Sequence, residues 1–323
     1  MKQYKRYVIV CLVSVAVILV GIMTILEVFT RQILIPSDVV AQKEVMVKQK
    51  RDQIEVVSIG DSHVMNGMDI RDDDFFNYGI SGEPVPLGYF KTKWLIENVK
   101  DLDTLLLQLD YHIFSYYRTT DVGHLAKQYR KYIDEDVSEE LGDYPSAQDF
   151  FENPFYSLQV NYRPIVLRTF FEYLQGDELH RPNIQDNGVI TGTDQFTDRT
   201  PEKRQRIAQA RVNHHLYNNE LIIDGMVDYY EKLIKLAQDN GIEVVLIRYP
   251  LANEYLQLID EDVEAKFAKT VEEITSQYDV RILDYRNVFT EKQDYFSNED
   301  HLNQEGATKL GEIVKQDLDR DWE

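Results

Sequence analysis

The sequence predicts an α/β domain on a parallel sheet, tied to a membrane by one N-terminal helix. Three observations carry that expectation. Short apolar runs of strand length recur along the chain, segments of helical hydrophobic period lie between them, and one uncharged apolar stretch sits near the N-terminus. Strands that alternate with helices pair in parallel, because each parallel neighbour needs a crossover connection.

Lys2, Lys5 and Arg6 precede the apolar stretch, which runs from Tyr7 to Leu26. About twenty residues at roughly 1.5 Å each span the ~30 Å hydrocarbon core. A cleaved signal peptide is the competing reading, but the run is longer than an ordinary h-region and no Ala-x-Ala site follows it promptly. The basic flank belongs on the cytoplasmic side, which places the chain beyond about residue 30 outside the cytoplasm. Cys11 is the only cysteine, so no intramolecular disulfide can form, and it lies too early in the run to suit lipid attachment. Such a domain relies on its own core.

Residues 31–53 are polar and of mixed charge, with Lys43, Glu44, Lys48, Lys50 and Arg51. They read as a partly helical juxtamembrane spacer. The expected division is therefore a tail and anchor at 1–30, a spacer at 31–53 and one domain at 54–323. Within that domain, residues 55–59, 104–109, 243–249 and 280–283 are apolar runs suited to buried parallel strands, with a weaker one at 75–78. Helices are expected at 87–99, 219–239, 262–278 and 304–318. The second of these repeats Leu221, Ile222, Met226, Tyr229, Leu233 and Leu236 near a 3.6 period, and Asn240-Gly241 stops it.

The interval 116–218 breaks this rhythm. It is rich in Tyr and Phe, acidic between Asp134 and Asp143, and loop-like between Gly176 and Asp198. It reads as a largely helical insertion, lying either over the carboxyl edge of the sheet as a cleft wall or at the periphery. The net charge of -21 excludes nucleic acid as a natural partner, since phosphate binding needs a basic surface.

Candidate chemistry centres on Gly60-Asp61-Ser62-His63 and on Asn298-Glu299-Asp300-His301-Leu302-Asn303. A glycine turn after a buried strand delivers Ser62 to the sheet's carboxyl edge, and a distant histidine completes the minimum set for acyl transfer. Capping of the next helix is the plain structural job for such a serine. Gly79 and Gly82, in Asn77-Tyr78-Gly79-Ile80-Ser81-Gly82, suit either turn geometry or delivery of a backbone N–H to a substrate carbonyl. Asp110 and His112 end the third strand, where they can line a site, form a satisfied polar pair or cap a loop. His63 can line the cleft or pack beside the turn. Arg248 can hold an anionic substrate group or make a structural ion pair.

Metal is not indicated. His214 and His215 are adjacent and point apart, which suits a surface helix better than a ligand set. Arg71-Asp72-Asp73-Asp74 lacks the alternation and glycine of a calcium loop and reads as a solvated turn. No cofactor signature is present.

On Gly60-Asp61-Ser62, the 77–82 block, His301-Leu302-Asn303 and Gly306, the sequence resembles the SGNH, or GDSL-type, hydrolase superfamily. It looks most like the membrane-anchored branch that serves cell-surface polysaccharide and teichoic-acid acylation. The resemblance implies a flavodoxin-like α/β/α sandwich with five parallel strands. It also implies Ser62 as nucleophile, His301 as general base, and an oxyanion hole from the Ser62 and Gly79 N–H groups, with Gly82 as the second choice. The family's acid stands three residues before the histidine, where this chain has Asn298. Asn298 can orient the imidazole but not balance its charge, and Asp300 competes for the role only if the loop bends so that adjacent side chains converge. The family's Gly-x-Asn-Asp block is missing, with Gln108-Leu109-Asp110 at the third strand instead. The implied function is an extracytoplasmic serine esterase or O-acyltransferase, O-acetyl above all, of a bacterial cell surface. Its substrate would be a surface polysaccharide or teichoic-acid-like polymer, and its partner a polytopic membrane acyltransferase. The alternative is a non-catalytic surface-assembly protein that keeps the fold to bind polymer or partner.

Overall fold

In the computed structural model, residues 2–119, 155, 157, 163–179, 182–217 and 220–319 are described. Five strands form one wholly parallel sheet: β1 (Val56–Ile59), β2 (Phe75–Asn77), β3 (Thr104–Gln108), β4 (Glu243–Arg248) and β5 (Arg281–Asp284). Their order is β2-β1-β3-β4-β5, the flavodoxin type of doubly wound sheet. Register is set by pairs such as Val57 with Leu105, Leu106 with Val245, and Leu246 with Ile282. The five expected strands are all present: four are one residue shorter than their apolar runs, and β5 is shifted one residue toward the C-terminus.

Alternation along the strands divides the core in two, because successive side chains leave opposite faces. Val57, Ile59, Leu105, Leu107, Val244 and Leu246 face α2 (Val39–Lys50), α4 (Val85–Asn98), α7 (Asp224–Asp239) and α8 (Glu261–Gln277). Leu106, Val245, Ile247 and Leu283 face α3 (Ser62–Gly67) and α9 (Gln304–Leu318). The result is a three-layer sandwich. Chain order changes direction between β1 and β3, so the carboxyl ends of those strands flank the switch point where such folds place ligands.

The spacer holds a helix packed on the domain: α2 buries Val40 and Val47, and Lys43 and Glu44 are buried with them. One expected boundary is corrected. Helix α7 starts at Asp224, not near 219, because Ile223 N–H donates to Phe114 O and Tyr116 N–H donates to Glu220 O. Those bonds hold residues 220–223 out of the helix, while Leu221 is still buried.

α1 (Lys2–Phe29) is long and apolar enough to cross a membrane, and its side chains from Tyr4 to Gly21 are exposed. It continues through tighter and wider turns to Ser37. In the insertion, the described parts include a short turn at Tyr116–Thr119, α5 (Arg163–Leu174) and α6 (Pro201–Val212). The acidic patch at 134–143 lies outside the described residues.

Candidate active site

The turn after β1 is built for close approach. Gly60 has φ of +153°, and a Cβ there would stand 2.4 Å from Gln108 Oε1 and 2.5 Å from Val64 Cγ2. Only glycine fits. Gln108 Oε1 instead accepts the Asp61 N–H at 2.7 Å, and the Asp61 carboxylate accepts the His63 N–H at 2.8 Å. Ser62 then opens α3 at the carboxyl edge of the sheet, half-buried.

The histidine arrives on a tight loop closed by an antiparallel bridge between Phe296 and Leu302. His301 Nε2 lies 2.8 Å from Ser62 Oγ across 239 residues of sequence separation. The imidazole is 11% exposed, so the pair is reachable from solvent. On its other side, Nδ1 donates to Asn298 Oδ1 at 3.0 Å. Asp300 Oδ1 stands at the same 3.0 Å from Nδ1 but off the line of that hydrogen bond. Adjacent side chains converge here because Asn298 Oδ1 also accepts the N–H groups of Asp300 and His301, at 3.1 and 2.9 Å, and curls the loop. Orientation and charge balance are thus supplied by two residues rather than one. Burial opposes the Asp300 charge, yet His301, His63 and Arg211 hold its carboxyl well below the usual carboxylate range.

Four of the expected site residues, Asp61, His63, Asp110 and His112, form a sealed layer under this pair. His63 Nδ1 meets Asp110 Oδ2 at 2.8 Å, and His63 Nε2 faces Asp300 Oδ2 at 3.6 Å. Burial alone would push His63 down, but the charge and hydrogen bond of Asp110, joined by Asp300 and Asp61, push it up to about 10. His112 Nε2 meets Asp61 Oδ2 at 2.6 Å, and the Arg118 guanidinium reaches the same oxygen. Burial opposes ionisation of Asp61, but Arg118 and His112 hold it well below its ordinary value. Burial pushes His112 down despite that neighbour. Asp61, His63, Asp110 and His112 are each at most 3% exposed, so they do not line a cleft as expected. Asp110 and His112 are instead each satisfied in a polar pair with a residue of the turn after β1.

Arg248 is corrected as well. It pairs with Asp284 at 3.3 Å and lies over the rings of Tyr111 and Phe267, at 4.7 and 4.8 Å, which is a structural role. Gly79 cannot offer its N–H to an oxyanion, because that N–H donates to Asn77 Oδ1 at 2.9 Å. Its own requirement is contact: a Cβ would meet Met65 N at 2.4 Å. Gly82, with φ of +74°, lies two residues past Ile80, whose N–H donates to Gly60 O at 2.9 Å. Among the described residues no acceptor engages the Gly82 N–H.

Several contributors escaped the sequence reading. Two buried lysines pin three successive carbonyls of the glycine block: Lys43 donates to Asn77 O and Gly79 O at 3.0 and 2.7 Å, and Lys91 to Tyr78 O at 2.5 Å. Lys91 also pairs with buried Glu83 at 2.5 Å. From the insertion, Arg118 reaches Asp61, Arg211 pairs with Glu299 at 2.9 Å and faces Asp300 at 3.4 Å, and His215 stacks on His112 at 4.6 Å. His215 is buried rather than on a surface helix, while His214 is exposed. No sequence spacing announces these residues; only the fold brings them in.

Two groups have the atom types of a metal site, Asp61 with His63 and His112, and His63 with Asp300 and His301. In the first, Arg118 already supplies a cation to Asp61. In the second, His301 is engaged with Ser62 and Asn298.

No family model matches the chain, and no curated protein matches it. Among solved structures it is similar to a Streptococcus pneumonia protein provisionally described as a platelet activating factor, with 15% identity and a TM-score of 0.37, covering 85% of this chain and 92% of that one. It is also similar to a hyperthermophilic endo-beta-1,4-glucanase in complex with substrate, with 13% identity and a TM-score of 0.18, covering 83% and 88%. Superpositions this loose carry no argument, and the site rests on its own geometry.

Proposed function

We propose that the protein is a membrane-anchored SGNH-type serine esterase or O-acyltransferase that handles an acyl ester, acetyl above all, of a cell-surface polysaccharide or teichoic-acid-like polymer. The observation that carries this reading is the 2.8 Å approach of His301 Nε2 to Ser62 Oγ, with Asn298 and Asp300 both 3.0 Å from Nδ1.

The chemistry follows from the placement. Ser62 Oγ attacks the ester carbonyl carbon while His301 Nε2 takes its proton. The oxyanion meets the N–H groups of Ser62 and Gly82. Asn298 holds the ring so that Nε2 is the free acceptor, and ionised Asp300 balances the imidazolium. His301 then returns the proton to the departing alcohol oxygen as the C–O bond breaks, leaving acyl-Ser62. In the second half, a water or sugar hydroxyl loses its proton to His301 and attacks the acyl carbon, and Ser62 recovers the proton.

The sealed layer supports this by rigidity. The imidazolium of His63 is a fixed cation between Asp110 and Asp300, so Asp300 is kept ionised without free rotation. α1 places the domain at a membrane surface, where an acyl donor handed over by an integral membrane acyltransferase would be met. Turnover of a p-nitrophenyl acetate substrate, together with the acetyl content of surface polymer, tests the reading in wild-type and Ser62→Ala forms. Loss of turnover and a changed acetyl content in the variant are expected. An unchanged pair of values contradicts the proposal and favours a non-catalytic assembly role.

A further inference from the structure

We infer that α5 is a membrane-interface helix whose apolar stripe lies in the outer boundary of the same bilayer that α1 spans. The inference rests on α1 being retained as an anchor, as proposed above. Leu167, Phe171 and Leu174 are 47%, 58% and 63% exposed. At 3.6 residues per turn they fall within about 60° of one another, a single stripe. Scattered exposed apolar residues need no explanation, but a continuous stripe along one helix does.

Position decides what covers it. The neighbouring face of α5 presents Phe170 and Tyr173 to Phe29 at the end of α1, with ring centroids 5.1 and 5.5 Å apart. Phe29 itself is only 4% exposed. It stands three residues beyond the apolar run, about 5 Å further along the helix axis, at the level where the chain leaves hydrocarbon. A Glu27–Arg31 ion pair at 2.6 Å marks the same level. Beyond Phe171 the stripe gives way to a polar edge, with Arg168 and Glu172 about 60° and 100° further round the helix and bonded to each other at 2.8 Å. An amphipathic helix packed on the emerging end of a spanning helix, with its apolar stripe outward, fits lipid at the headgroup–acyl boundary. Exposed Ile25 and Val28 on α1 extend the same apolar band. With α5 in the interface and α1 across the bilayer, the domain has two points of attachment and a fixed height above the surface.

The full chain is purified, its N-terminus verified by intact mass, and placed in lipid nanodiscs with or without lipids brominated near the headgroup end of the acyl chains. Phe171→Trp is compared with Glu172→Trp, about 130° from the centre of the stripe, each read as the added emission over the native tryptophans. The expected result is several-fold stronger bromine quenching of the tryptophan introduced at 171, with aqueous iodide favouring the one introduced at 172. Equal quenching at both positions, or iodide access at 171 in the intact discs, overturns the inference, and so does protection at 171 that needs a second membrane protein. Fluorophosphonate reaction at Ser62 in the same discs reports the chemistry separately. Failure of the lipid contact and failure of the esterase reading are therefore distinct outcomes.

Discussion

Two histidines share one carboxylate in this molecule and are put to opposite uses. His301 touches Asp300 Oδ1 at 3.0 Å, keeps 11% of its side chain exposed and reaches Ser62. His63 faces Asp300 Oδ2 at 3.6 Å with 2% exposed and is locked to Asp110. The first is open to solvent beside the Ser62 hydroxyl. The second is not, and its neighbours fix it as a cation. Burial and partner count, rather than residue type, separate a reactive imidazole from a structural charge.

The largest expected effect falls on the reactive side. His301→Gln keeps the ring-sized volume but removes the base, and ester turnover should fall by roughly 10³-fold or more. Denaturation midpoints should stay near wild type, since His301 is partly exposed. A midpoint loss equal to that of a His63 variant would erase the contrast between the two rings.

On the sealed side the expectation reverses. Asp110→Asn leaves the His63 cation without its main partner in a dry site, costing about 3–5 kcal/mol of stability. Urea titration would read this directly, and a change below the scatter of surface variants would contradict the buried-charge account.

The shared carboxylate gives a finer division. Asn298→Ala removes the hydrogen bond that orients His301, worth about 1.5–3 kcal/mol when the ring is charged, or roughly 10- to 100-fold in turnover. Asp300→Asn removes charge balance from both histidines, so it should lower turnover and stability together. If Asn298→Ala instead matches wild type in turnover while Asp300→Asn does not, Asp300 alone performs both tasks.

A pH dependence follows from His63. Its pKa rises from 6.5 to about 10 on folding, so the folded state holds a proton that the unfolded chain releases. That contribution is complete below the unfolded value and is lost as pH climbs toward the folded one. Stability should therefore decline across pH 6.5 to 10, and His63→Gln should flatten the slope. The smallest effect belongs to Arg248→Met, which breaks a remote ion pair and should leave turnover unchanged.

Much of the fold was legible because parallel strands are buried on both faces and read as apolar runs; each of the five runs supplied one strand. The Ser62–His301 pair was legible because a glycine turn and a histidine before an amphipathic helix leave local marks. The layer beneath was not. Arg118, Arg211 and His215 come from an insertion with no rhythm of its own, and each meets partners far away in sequence. Lys43 was one of several charged residues in the spacer, and a lone lysine carries no sign that backbone carbonyls await its ammonium. The choice between Asn298 and Asp300 dissolved for a local reason: one side-chain oxygen capping two N–H groups turned the loop so that both face the ring.

The central claim is that His301 makes Ser62 a nucleophile, and covalent capture tests it most directly. The folded protein is treated with a fluorophosphonate and digested, and the adduct is located by mass spectrometry. A single adduct on Ser62, lost in Ser62→Ala and strongly slowed in His301→Gln, is the predicted result. A well-folded protein that takes no label at Ser62, or labels equally fast without His301, would contradict the account.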